Sequence, residues 1–157
     1  MKKTALAILC ACLFAAPGIL ANAPQSEPFP EAASGSWLKL KTILDGYMGR
    51  PYVWGATGLK SFDCSGLIWR VMLDSGIMVK RTTARKFYLS LPKPAAGENW
   101  SRGNIVFFDN LRHCGIVADR QFFYHAQTSK GTNLSQFTPF WRSRIVGFRR
   151  LPQGEAR

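Results

Sequence analysis

Ser61-Phe62-Asp63-Cys64-Ser65-Gly66 decides the reading of this chain. The segment runs straight into Leu67, Ile68, Val71 and Met72, whose spacing marks one helical face, and Gly76 supplies a stop. Cys64 therefore stands where a loop turns into a helix, outside the apolar stripe. At a helix start the unpaired N–H groups and the partial positive charge favour a thiolate, the nucleophilic form of cysteine, and can hold an oxyanion. Asp63 or Ser61 is the candidate cap. Free cysteines are more often inert packing residues than nucleophiles, and the place of Cys64 at the helix start is what sets it apart.

Working outward, Trp37, Leu40, Leu44 and Tyr47 predict a helix over 37–48 that ends at Gly49. Residues 51–55 read as an extended or turning segment, and 82–88 as a short third helix. The second half changes character. Runs at 104–108, 113–119, 122–126 and 144–150 read as successive antiparallel strands. The expected class is α+β, a helical N-terminal half packed on an antiparallel sheet.

A thiolate catalyst needs a base that titrates near neutrality, which is histidine's property. The chain has two histidines, His113 and His125, both in expected strands and both after Cys64. With Asp119-Arg120-Gln121 as a turn, their strands form a hairpin in which one imidazole can orient the other. Cys114 follows His113 directly, so strand alternation turns it toward the core. On that ground a Cys64–Cys114 disulfide and a Cys/His metal site both fit poorly, and no metal or cofactor is expected.

The ends and the charge bound the setting. Lys2 and Lys3, an uncharged run over 4–20 and Ala21-Asn22-Ala23 read as a signal peptide over 1–23. A membrane span needs roughly 20 apolar residues, and Pro17-Gly18 breaks this run. The chain is thus expected in the periplasm or secreted, with membrane attachment only through a lipid on Cys12. Residues 24–36 read as a flexible lead-in, 37–151 as one folded domain and 152–157 as a tail. Losing Lys2 and Lys3 lowers the formal charge from +12 to +10. That charge suits an anionic partner such as a cell wall, and export makes nucleic acid the weakest of the candidates.

Several segments together resemble the NlpC (p-sixty) family of cell-wall peptidases. They are Gly49-Arg50-Pro51-Tyr52-Val53-Trp54-Gly55, Phe62 through Leu67, Arg81-Thr82-Thr83-Ala84, Arg102 through Phe108, His113-Cys114-Gly115-Ile116-Val117, Tyr124-His125-Ala126, and a closing stretch from Trp141 to Arg150. The resemblance implies a papain-like fold and a triad of Cys64 as nucleophile, His113 as base and His125 as orienter. It also implies hydrolysis of amide bonds in peptidoglycan stem peptides. Separately from the resemblance, a monomer with no cofactor is expected. Tyr52 would lie beside the nucleophile and help hold the oxyanion, and Asp63, Ser65 and Arg81 would contact substrate. Three places depart from the pattern: Asn104 stands for an aspartate, Cys114 for an aliphatic residue, and the pair Val79-Lys80 for Leu-Pro. The competing readings are a catalytically idle wall-binding module, an antibacterial toxin, and a lipid acyltransferase working through a thioester.

Overall fold

Leu40 and Leu44 face inward from α1 (Ala32–Gly46), as their spacing predicts, and Tyr47, just past its end, is buried with them. The computed structural model describes residues 32–152. The leader, Cys12, the first part of the lead-in and the tail beyond 152 lie outside the described residues. The helix begins at Ala32, inside the stretch read as lead-in, and no proline interrupts the chain between Pro30 and Pro51. The second helix, α2 (Cys64–Asp74), buries Leu67, Ile68, Val71 and Met72 completely. A third, α3 (Ala84–Ser90), is capped by the Thr83 hydroxyl, which accepts from the Lys86 amide at 3.3 Å.

Five antiparallel strands follow: β1 (Ile105–Phe108), β2 (His113–Val117), β3 (Phe122–Gln127), β4 (Gly131–Gln136) and β5 (Ile145–Arg149), ordered β4-β3-β2-β1-β5. Ile105, Phe107, Cys114, Ile116, Tyr124 and Ala126 pack under the helices. The opposite face is also covered, by a second apolar cluster of Val106, Phe108, Val117, Phe123, Phe137 and Phe148 with Trp100 and Trp141 against it. A strand buried on both faces loses the alternating pattern, which is why Ile105-Val106-Phe107-Phe108 is apolar throughout.

Two elements differ from the sequence expectation. Strand β4 occupies a polar stretch that carried no strand signal. Trp141, which the family resemblance grouped with the final strand, sits on α4 (Pro139–Arg142), where Pro139 opens a helical turn, and the strand read over 144–150 runs Ile145–Arg149.

Two glycines permit the close approaches that build the site. A Cβ on Gly66 would lie 2.1 Å from the Ala56 carbonyl oxygen, so the loop over 51–56 can lie against the first turn of α2 only if residue 66 has no side chain. A Cβ on Gly115 would meet the Tyr124 carbonyl oxygen at 2.6 Å and the Phe123 ring at 2.7 Å. Gly66→Ala should therefore lower unfolding free energy by about 1–3 kcal/mol, the usual range for overpacking. Gly58→Ala, where an added methyl meets nothing within 4 Å, should change it by less than about 0.5 kcal/mol. Urea denaturation of both variants checks this, and equal stability would show that the 51–56 loop yields freely.

Candidate active site

The site is organised around the Asp63 carboxylate, which is almost fully buried. As N-cap of α2 it accepts from the Gly66 amide at 2.6 Å. Its other oxygen accepts from the Gly55 amide at 2.8 Å, which ties down the 51–56 loop. Arg81 binds both oxygens from Nη2, at 2.9 and 2.8 Å. The Ser65 hydroxyl donates to Asp63 at 2.9 Å and accepts from Arg81 Nη1 at 3.0 Å. Asp63, Ser65 and Arg81 thus engage one another and set the first turn of α2. Tyr52 comes to the same place because its segment bridges to Phe62. Burial raises its phenol above the ordinary value, and the Cys64 sulfur adds to the shift.

Cys64 opens α2 with 5% of its surface exposed. Its Sγ lies 3.8 Å from the Arg112 carbonyl oxygen. A hydrogen bond from the Cys114 thiol outweighs the opposing effect of burial and, with His113, lowers the Cys64 pKa to about 5. Cys114 itself is fully buried and its pKa lies well above the usual thiol value, so it keeps its proton and remains a donor. This corrects the alternation argument. Cys114 does point into the core, but α2 packs on that same face of the sheet, so the two thiols touch. Both cysteines are free thiols.

His113 begins β2, delivered by a 3-10 turn over Asp109–Leu111. Three consecutive non-glycine residues there are left-handed, with φ of 50°, 53° and 68°. Such backbone costs roughly 1–2 kcal/mol per residue. The turn is held by the Asp109 amide on the Arg144 carbonyl at 3.2 Å and by the Arg144–Asp109 ion pair at 3.3 Å.

The two imidazoles meet. His113 Nε2 lies 2.8 Å from His125 Nδ1, which leaves His113 Nδ1 for Cys64. They reach one another diagonally: Ile116 pairs with Tyr124, and continuing that register puts the side-chain-free Gly115 opposite His125. His125 is completely buried. Burial, then the neighbouring His113, lowers its pKa to about 3, so it stays neutral. Its Nε2 lies 2.9 Å from Ser135 Oγ on β4.

Sequence reasoning missed two contributors. Trp141 stacks on His113, centroids 5.5 Å apart and 26° between planes, and stands edge-on to His125 at 5.1 Å. Ser135 sits in a strand with no apolar signal. Only the alternation of polar residues in Asn133-Leu134-Ser135 could have pointed to it. Among the described residues no cluster of His, Cys, Asp or Glu is placed to hold a metal ion.

Comparisons with known proteins point to one family. The family model described as NlpC/P60 matches residues 49–150. A probable peptidoglycan endopeptidase, LytE, of Bacillus subtilis is 34% identical over 118 residues, covering 72% of this chain and 34% of that protein. A gamma-DL-glutamyl hydrolase of the same organism is 32% identical over 113 residues, covering 67% of this chain and 27% of that protein. The chain spans about a third or less of these two relatives. A crystal structure of a Staphylococcus aureus protein described as similar to lipoprotein, NLP/P60 family, superposes with a TM-score of 0.64 at 27% identity, over 83% of this chain and 45% of that one. The fold, the order of its elements and this match over 49–150 together place the chain in the NlpC/P60 family.

Proposed function

We propose that this chain is an exported cysteine peptidase that cleaves amide bonds in peptidoglycan stem peptides. The observation that carries the reading is the contact of a low-pKa thiol at a helix start with a histidine that is itself bonded to a buried neutral histidine. The Cys64 thiolate attacks the scissile carbonyl carbon. The oxyanion is held by the Cys64 amide, which opens α2 and has no preceding turn to satisfy it, and by the Tyr52 hydroxyl. The His113 imidazolium gives its Nδ1 proton to the leaving amine, and the acyl thioester forms. Water, deprotonated by His113, then releases the peptide. His125 accepts from His113 Nε2–H throughout and stabilises the positive ring.

Two relatives named for peptidoglycan and for γ-glutamyl hydrolysis support a bond next to glutamate in the stem peptide. The formal charge of +10 left after the leader suits an anionic wall, and the leader over 1–23 would deliver the protein to it. Mass spectrometry of purified peptidoglycan after digestion identifies the bond. New amino termini on stem-peptide fragments are expected, and an unchanged muropeptide profile would refute the activity.

Cys64→Ala should abolish fragment release while circular dichroism and melting stay near wild type. Full activity in that variant would remove Cys64 from the chemistry. The Cys64 thiolate exists above its pKa of about 5 and is lost as pH falls through it, so kcat/KM should fall on the acid side. Cys114→Val deletes the thiol that donates to this anion. Hydrogen bonds to charged groups contribute ~1.5–3 kcal/mol, and one pKa unit corresponds to about 1.4 kcal/mol. The acid limb of Cys114→Val should therefore move up by about one pH unit while the neutral-pH rate holds. An unmoved limb would show that Cys114 does not tune the nucleophile.

A further inference from the structure

The hydrogen bonds at His125 continue beyond it in an order that only one arrangement of protons satisfies. Asn133 lies directly across the β3–β4 ladder from His125, and Ser135 two residues further along β4 is on the same face. Asn133 Nδ2 donates to the Gly131 carbonyl at 2.8 Å. A carbonyl can only accept, so this contact fixes which end of the amide is nitrogen. Asn133 Oδ1 therefore faces the site, where it accepts from the Ser135 hydroxyl at 2.8 Å and from Gln127 Nε2 at 3.3 Å. The single hydroxyl hydrogen of Ser135 is thereby committed to Asn133. Toward His125 Nε2, 2.9 Å away, Ser135 Oγ can only accept. His125 then carries its proton on Nε2, and its Nδ1 holds a lone pair. Across the 2.8 Å contact, His113 Nε2 must be the donor. His113 Nδ1, the nitrogen turned toward Cys64, is left to take the thiol proton.

We propose that Ser135 and Asn133 are positioning residues that set the tautomers of both histidines, with the Gly131 carbonyl as the fixed end of the relay. The proposal rests on the catalytic reading of Cys64, His113 and His125 given above. Neither residue touches a reacting atom, and no proton moves along the relay during turnover. Its effect is to exclude the alternative in which His125 carries Nδ1–H. In that state His113 Nε2 must accept, His113 carries its proton on Nδ1, and it cannot act as base toward Cys64. The surroundings reinforce the choice. Phe123 and Trp141 pack on His125, which is completely buried.

The test uses the full chain and the variants Ser135→Ala, Ser135→Thr and Asn133→Ala. Because the sequence holds only two histidines, ring-nitrogen NMR with labelled histidine reports each tautomer separately. In wild type, His125 should be the neutral Nε2–H form. Ser135→Ala removes the acceptor, and the Nδ1–H form should become populated. Loss of supporting partners around an active group typically costs 10–100-fold, so kcat on a muropeptide should fall roughly tenfold or more with KM unchanged. Ser135→Thr keeps the hydroxyl and should restore most of kcat and the wild-type tautomer. Asn133→Ala releases the hydroxyl hydrogen and should resemble Ser135→Ala. Melting curves identify any variant that fails to fold, and Ser135→Thr against Ser135→Ala then decides. A Ser135→Ala protein with the wild-type tautomer and wild-type kcat overturns the proposal. The tautomer measurement needs no turnover. It judges the relay even if Cys64→Ala proves active, a result that would instead refute the catalytic reading.

Discussion

The Asp63 carboxylate is the constraint on which the rest of the site depends. A buried carboxylate must be matched by donors, and breaking such an ion pair costs on the order of 3–5 kcal/mol because a charge is left without compensation. Asp63 finds its donors in three separate stretches: the amide of Gly55, the first turn of α2, and the Arg81 guanidinium. Satisfying one buried charge therefore fixes three segments relative to one another. The loop bearing Tyr52 is drawn against the helix start, Gly66 gives it room, and Cys64 is presented where α2 meets the sheet. Asp63, Ser65 and Arg81, expected from the family resemblance to contact substrate, are first of all the framework that holds Cys64 in place.

Burial acts on the two sides of the site in opposite ways. For Cys64 it disfavours the thiolate, and hydrogen bonds from Cys114 and His113 more than reverse it. For His125 burial disfavours the cation, and the neighbouring His113 works in the same direction. The result is an anion-forming thiol and a ring that stays uncharged, joined through His113. The second apolar cluster makes this possible. Phe108, Phe123 and Trp141 surround the histidine rings, so the lower face of the sheet is as much a part of the site as the helical face that carries Cys64.

Much of this was legible in the residues. The apolar spacing in 64–74 and 37–48, the glycine stops and the β-rich runs after residue 104 identified three helices and four of the five strands, since burial on one face imposes a period that survives in the sequence. Strand β4 left no such trace. On the face it shares with His125 it carries Asn133 and Ser135, polar side chains that bond to each other and, through Ser135, to His125, so the apolar pattern that marks a strand is missing there. Asn104, noted as a departure from the family's aspartate, has a local explanation. Its amide donates to the carbonyls of Glu98 and Asn99 at 2.6 and 3.3 Å, which a carboxylate could not do.

By itself the sequence determined the α+β class, the helix start at Cys64 and the supply of just two histidines, because each follows from local spacing and residue chemistry. Only the tertiary structure decided that Cys114 touches Cys64, that Trp141 stacks on His113, and that His125 continues into Ser135 and Asn133. These contacts join residues from different elements across a sheet packed on both faces. Strand alternation says which face a side chain takes, but which other element lies on that face is set by how the helices and strands pack together.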